Sequence, residues 1–247
     1  MRIPGANGWG LFLLGATLAL GFVAASNSIG KAVVALRQDQ GIKVKGTALE
    51  DIGSTLGTWT GSLKAKAPTM EAAYQALAAD VAKLRSFVVE RKFAASEIEL
   101  SSIGTSEIYA TDKDGRRTNV IEAYELCQSM TIESPRVVEV ETLSREVTQL
   151  LLEGVAIQSG SPSFQNQDIE SIKLRLLEKA TQNGYQRAQT LAAGTGGRVG
   201  KLVSASQGVF QIVPRGSTDV SDYGNNDTSA IEKSAKAVVT LEFAVER

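Results

Sequence analysis

Histidine is absent from the 247 residues of the chain. With it go the commonest general base, the Ser-His and Cys-His nucleophile pairs, and the usual nitrogen ligand for zinc, copper or iron. Cysteine occurs once, at Cys127, so a single chain can form neither an intramolecular disulfide nor a zinc or iron–sulfur cluster. Excess charge is missing too: 26 basic residues face 27 acidic ones, for a formal charge of −1. No net field draws in polyanions, and nucleic acid is not an expected partner. These absences remove most hydrolase and metalloenzyme mechanisms. The chain reads as a non-enzyme, with no catalytic residue, cofactor or metal site assigned; a histidine-free enzyme working through carboxylates or Lys and Tyr is the alternative.

What is present is an ordinary 43% hydrophobic and 21% charged composition, enough to bury a core. It also includes one long uncharged stretch from Ile3 to Gly30. Its apolar heart is Trp9, Leu11, Phe12, Leu13, Leu14, Leu18, Leu20, Phe22 and Val23. A helix from Trp9 to Ile29 would span roughly 32 Å, about one hydrocarbon thickness. The eight Leu, Phe and Val side chains favour insertion by roughly −2 to −5 kcal/mol, and Trp9 sits where an interfacial aromatic belongs. The same residues also read as a cleaved signal peptide, with Arg2 as n-region and Val23-Ala24-Ala25 as cleavage site. A buried soluble helix fits less well, because residues 8 to 25 have no polar face. Arg2 before the span and Lys31 and Arg37 after it hardly decide orientation. An N-terminus inside is expected because a short apolar segment at the start of a chain acts as a signal-anchor. The domain that follows is exported on either the anchor or the signal-peptide reading.

Beyond the anchor, Ile42–Gly46 alternates apolar and polar, and Ser54 to Ala67 carries Leu56, Trp59 and Leu63 among threonines, so two strands are predicted. Pro68-Thr69 signals a helix start. Met70, Tyr74, Leu77, Val81, Leu84 and Val88 then recur at helical spacing. Ile98 to Tyr109 and Asn119 to Glu133 read as a long hairpin turned at Asp114-Gly115. Ser134-Pro135 marks a helix N-cap and first position, with Val138, Leu143, Val147, Leu150 and Leu151 on its inner face and a stop at Gly154. A short segment near Ser161 to Phe164 precedes a second long helix from Asp168, facing inward with Ile172, Leu176, Ala180, Ala188 and Leu191. Val199 to Val213 and Ala235 to Val245 complete the strands, separated by a polar loop from Pro214 to Ser234. Loops of that length are usually functional or mobile. The fold class is α+β: a mainly antiparallel sheet packed with long helices, in two related halves, preceded by one N-terminal transmembrane helix. Residues 1–37 form the anchor and linker and residues 38–247 the domain.

The stretches Ile42-Lys43-Val44-Lys45-Gly46-Thr47-Ala48, Trp59, Ala180 to Ala188 and Gly200-Lys201-Leu202 to Ile212 together resemble the SIMPL-domain family over roughly residues 42 to 246. Asp227 to Lys233 before the last strand adds to the likeness, especially to a bacterial branch that carries an N-terminal membrane segment. The resemblance implies a periplasmic or surface-exposed α+β domain with no recognised catalytic residues and a tendency to large ring-like or channel-like homo-oligomers. It also implies a loose link to oxidative-stress defence, and the animal member that named the family binds a signalling kinase. No residue signature for either role transfers to this chain.

Other motifs have bland explanations. Gly194 to Gly200 could cradle a phosphate, but it closes a helix and enters a strand, so a helix C-cap is expected. Asp112 and Asp114, or Asp219, Asp222 and Asp227, match no EF-hand spacing and read as turn chemistry. Cys127, beside Glu125 and Gln128, has no cationic sequence neighbour to make it reactive. Glu122, Glu125 and Glu133 sit on a strand where solvent-facing charge is normal. The expectation is a single-pass protein of the bacterial inner membrane with its C-terminal domain in the periplasm. Its partners are membrane lipid through the N-terminal helix and copies of itself; the alternative is a binding or signalling module using the 214–234 loop.

Overall fold

A computed structural model describes residues 41–246, together with Gly15, Thr17, Leu18, Gly21, Phe22 and Ser26, which are helical. Of the expected anchor, Leu18 and Phe22 are therefore helical and exposed, while Trp9, Leu11, Phe12, Leu13, Leu14, Leu20 and Val23 lie outside the described residues. Among the described residues no helix is long and apolar enough to cross a membrane.

From residue 41 the chain forms β1 (Gly41–Gly53), β2 (Leu56–Ala67), α1 (Met70–Glu90), β3 (Ile98–Leu100), β4 (Gly104–Thr111), β5 (Arg117–Ser134) and α2 (Val137–Glu146). A 3-10 turn (Val147–Glu153), β6 (Ile157–Ser159), β7 (Ser163–Gln165) and α3 (Ile169–Gly194) follow. β8 (Arg198–Gln207), β9 (Gln211–Pro214), β10 (Asn225–Asn226) and β11 (Glu232–Glu246) complete it. The class is α+β with mainly antiparallel pairing, β9 and β10 being parallel. The strands make two sheets where one was expected: β1-β11-β9-β10 with β8 on β11, and β3-β5-β2-β6 with β4 on β5 and β7 on β2. Alternation assigns faces to strands but does not say which strands become neighbours.

The chain divides into two compact units, one of residues 47–180 with 208–238, the other of residues 41–46, 181–207 and 239–246 among those described. In the larger unit, β2 and β5 pair antiparallel from Gly57↔Ser134 to Ala67↔Tyr124. Trp59 and Leu63 of β2 and Leu126, Met130 and Ile132 of β5 form one core with α1 and α2. The Trp59 indole, fully buried, donates to Ser159 Oγ at 2.9 Å, and that hydroxyl donates to the Ser144 carbonyl at 2.7 Å. A Cβ on Gly61 would stand 2.4 Å from the Trp59 ring, so the ring lies where only glycine leaves room.

Helix α1 starts as expected, with Thr69 Oγ1 accepting from the Ala72 amide at 3.2 Å. Its inner face is Ala73, Leu77, Leu84 and Val88, and the expected members Met70 and Tyr74 are 49% and 54% exposed. Residues 73 and 74 flank Leu77 at i−4 and i−3, and the smaller side chain takes the place against the sheet. Ser134 is not the cap of α2: it ends β5, its hydroxyl accepts from the Arg136 amide at 3.2 Å and donates to Glu97 at 2.5 Å, and Arg136 is the N-cap residue. The inner face of α2 and the 3-10 turn is Val140, Leu143, Val147 and Leu150, an unbroken 3-4-3 spacing that leaves Val138 and Leu151 outside. The expected stop at Gly154 holds, with φ +77°.

In the smaller unit, β8 pairs antiparallel with β11 from Val239↔Gln207 to Glu246↔Arg198. The C-terminal part of α3 buries Ala188 and Ala192, where Leu191 had been expected, and Leu191 is exposed. The Tyr185 and Phe243 rings meet edge to face at 5.5 Å. A Cβ on Gly184 would fall 2.7 Å from Leu241 Cδ1 and 3.3 Å from Gly46 Cα, so helix and strand touch here nearly backbone to backbone. The predicted strand from Val199 to Val213 is two strands, broken at Gly208.

Candidate functional site

Three strands of the larger unit present one face to a strap of chain. Lys236 lies opposite Gln211 and Ser234 opposite Val213. Because side chains alternate, these four share one face, and the buried Ile212 and Ala235 share the other. After Pro214 the chain folds back over the first face. The buried side chain of Gln211 pins it by donating to the Ser221 carbonyl at 2.6 Å and accepting from the Ser221 amide at 3.2 Å. Between strap and sheet lies a cleft of about 470 Å³ bordered by Leu49, Asp51, Arg215, Thr218, Val220 and Lys236. That volume falls within the range of small-ligand sites. Arg215 Nε reaches Asp51 at 3.1 Å and Nη1 reaches Glu232 at 3.7 Å, while Ser234 Oγ donates to Asp51 at 2.7 Å. Arg215 thus faces two carboxylates, and of the other charged residues bordering the cleft Lys236 is a cation and Asp219 an anion.

The far end of the strap is held by a buried ammonium. Lys233, 2% exposed, donates to the Phe164 carbonyl at 2.6 Å and to the Asp227 carbonyl at 2.5 Å, with the Asp227 carboxylate 4.0 Å away. That carboxylate accepts from Ser229 Oγ at 2.7 Å and from the Ala230 amide at 3.0 Å. Burial pushes the Lys233 ammonium below the usual lysine range, against the pull of Asp227. Burial works against ionisation of Asp227 as well, but the Ser229 hydroxyl and the amides of residues 230 and 229 outweigh it and hold the carboxyl below its ordinary range. Both groups are committed to holding the chain in place.

A second feature projects from the six-stranded sheet. Pairing of β5 with β2 stops at Tyr124, while pairing with β4 continues through Ile108↔Ala123 and Tyr109↔Ile121 to Thr111↔Arg117. From Ile108 to Ala123 the hairpin is thus a two-stranded arm. Asp112 closes its tip by accepting from the amides of Asp114 and Arg116 at 2.9 and 2.8 Å, and Gly115 has φ +76°. Arg117 stacks over the Tyr109 ring at 3.8 Å, and the Tyr109 hydroxyl donates to Glu107. Val120 and Ile121 are exposed, Val120 by 64%. At the base of the arm, Met70, Tyr74, Ile103, Thr105 and Leu126 line a shallow hollow of about 490 Å³, with Glu71 on its rim.

The motifs singled out in the sequence fall as follows. Gly194 to Gly197 closes α3, with the Gly197 amide donating to the Ala192 carbonyl at 3.0 Å and φ +76° at Gly196, so it is a helix C-cap. Asp112 and Asp227 serve turns, and Asp219 accepts from Ser217 Oγ at 2.9 Å. Cys127 is exposed and lies opposite Lys64 and Gly104 on the neighbouring strands, a cation that its sequence neighbours did not reveal. Glu125 lies 3.8 Å from the same Lys64. The Gln211 clamp and the Lys233 anchor were not foreseen. Lys233 had a signal: it stands two residues before Ala235, on the parity of Ala237, Val239 and Leu241, where a charge is out of place.

Among curated proteins none matches the chain. Residues 42–244 match the SIMPL family model, described as a protein of unknown function (DUF541), close to the span over which the sequence resembled that family. The chain belongs to the SIMPL family.

Proposed function

We propose that the chain is a non-enzymatic, membrane-anchored protein of the bacterial envelope. A single helix around Trp9 to Val23 holds it in the inner membrane, and residues 38–247 form two related halves in the periplasm and assemble into a large ring-like or channel-like homo-oligomer. The observation that carries assembly is the arm from Ile108 to Ala123. An isolated two-stranded ribbon is at best marginally stable in water, and this one holds Val120 and Ile121 out to solvent. A neighbouring copy would cover those side chains. The non-enzymatic part is supported by the lack of histidine and by the engagement of Asp51, Arg215, Asp227 and Lys233 with one another and with the backbone. A role in oxidative-stress defence rests on family resemblance alone. Replacing both Val120 and Ile121 by aspartate in the full-length chain is expected to lower the particle mass in mild detergent; an unchanged mass counts against the arm. Protease added to spheroplasts is expected to digest the domain, and its survival would place the domain inside.

The strapped cleft supports a second reading, a binding module that takes a small anionic ligand against Lys236. Ligand-detected NMR with short carboxylates, repeated on Lys236→Ala, decides this: binding lost in the variant supports it, and no binding to either protein removes it.

A further inference from the structure

The hollow at the base of the arm and the exposed apolar tip of the arm have matching chemistry, and both lie on the same chain. The hollow has Leu126 as a buried floor and half-exposed Met70 and Tyr74 as walls. The arm holds two adjacent apolar side chains out to solvent, Val120 at 64% and Ile121 at 38% exposure, next to the bulged part of the ribbon. Their charges are complementary as well. Glu71 stands on the rim of the hollow, and Arg116 is exposed beside the tip, since Arg117 is the residue stacked on Tyr109.

The arm cannot fill its own hollow. Thr105 lines the hollow and Ile121 pairs with Tyr109, further along the same strand, so the apolar part of the arm stands about 13 Å along the ribbon from it. A paired ribbon cannot double back over that distance without breaking its ladder. The occupant must come from another molecule, and a second copy of this chain supplies a segment of the right shape, polarity and charge.

We propose that the arm of one copy seats Val120 or Ile121 in the Met70–Tyr74–Ile103 hollow of the next, with Arg116 of the first copy pairing with Glu71 of the second. This rests on the assembly reading above and names its contact. Reciprocal exchange closes at two copies, whereas head-to-tail use of the same contact continues around a ring.

The test uses full-length protein in mild detergent, followed by light scattering. Glu71 and Arg116 are both exposed, so neither charge reversal removes a buried contact. Each single variant is expected to shift the particles to smaller mass, and the double variant Glu71→Arg with Arg116→Glu to restore the wild-type mass. Tyr74→Asp is expected to break assembly as the double variant Val120→Asp with Ile121→Asp does, and mixing those two proteins is expected to recover a heterodimer, because one intact arm and one intact hollow remain. If replacing both Val120 and Ile121 by aspartate breaks assembly while Tyr74→Asp and both charge reversals leave it unchanged, the arm docks elsewhere and the inference fails with the assembly reading intact. A wild-type protein that is monomeric overturns both.

Discussion

The buried ammonium of Lys233 and the main-chain carbonyl of Asp227 are joined by a 2.5 Å hydrogen bond across the base of the strap. Because Lys233 also bonds the Phe164 carbonyl, it ties β7 to the chain just before β11. Lys233→Met keeps the length and apolar volume of the stem but orphans both carbonyls. A loss of about 3 kcal/mol is expected, read as a lower urea midpoint at unchanged slope. A midpoint equal to wild type would show that the bonds to Lys233 contribute nothing net.

Acid should weaken the fold in a defined window. Burial opposes ionisation of Glu97, but the Ser134 hydroxyl, the Ala94 amide and Arg136 together hold it below its ordinary range, and Asp227 is held low in the same sense. Folded carboxyls with lowered pKa bind protons less readily than unfolded ones. Their stabilisation is complete above about pH 5 and is lost as pH falls through the folded values. Lys233 has its pKa lowered by burial, so the folded chain gives up that proton first and stability gains as pH rises toward about 10. Melting curves from pH 7 to pH 3 check the acid limb, and Glu97→Gln with Asp227→Asn is expected to flatten it.

Gly184 sets two effects against each other. Alanine favours a helix interior by about 1 kcal/mol over glycine, but here its Cβ would meet Leu241 at 2.7 Å and the Gly46 backbone at 3.3 Å. A backbone contact cannot rotate away, so overpacking of about 1–3 kcal/mol wins. Gly184→Ala is expected to lower the melting temperature, whereas Gly194→Ala, with open space at its Cβ, is not. A stabilised Gly184→Ala would mean that α3 shifts off the sheet freely.

The strap should open without unfolding the domain. Gln211→Ala removes both bonds to Ser221, at 2.6 and 3.2 Å, and nothing else that closes the strap from beneath. Hydrogen exchange is expected to accelerate in residues 215–223 while β2 and β5 keep their protection. Uniform acceleration would instead make Gln211 part of the global core.

Much of this was legible where pattern alone decides. Alternation located β1 and β11, the apolar residues among threonines located β2, the Asp114-Gly115 turn located β5, Thr69 opened α1, and Gly154 and Gly196 closed their helices. The errors cluster where two neighbours compete for one position, as with Ala73 against Tyr74 and Ala192 against Leu191, and there the packing surface decides rather than the period. Ser134-Pro135 looked like a cap because the motif is local, whereas the demand on Ser134 comes from Glu97, on another element. The partners of the strap's anchors were hidden for the same reason, since Gln211–Ser221 and Lys233–Phe164 join residues that no local pattern links. The 214–234 loop announced itself only by its length.

The proposed assembly of the domain with copies of itself is read from the mass of the full-length protein in mild detergent. A discrete particle of many chains is expected at micromolar concentration, reduced when Val120 and Ile121 are both aspartate. A particle of one chain at that concentration contradicts it.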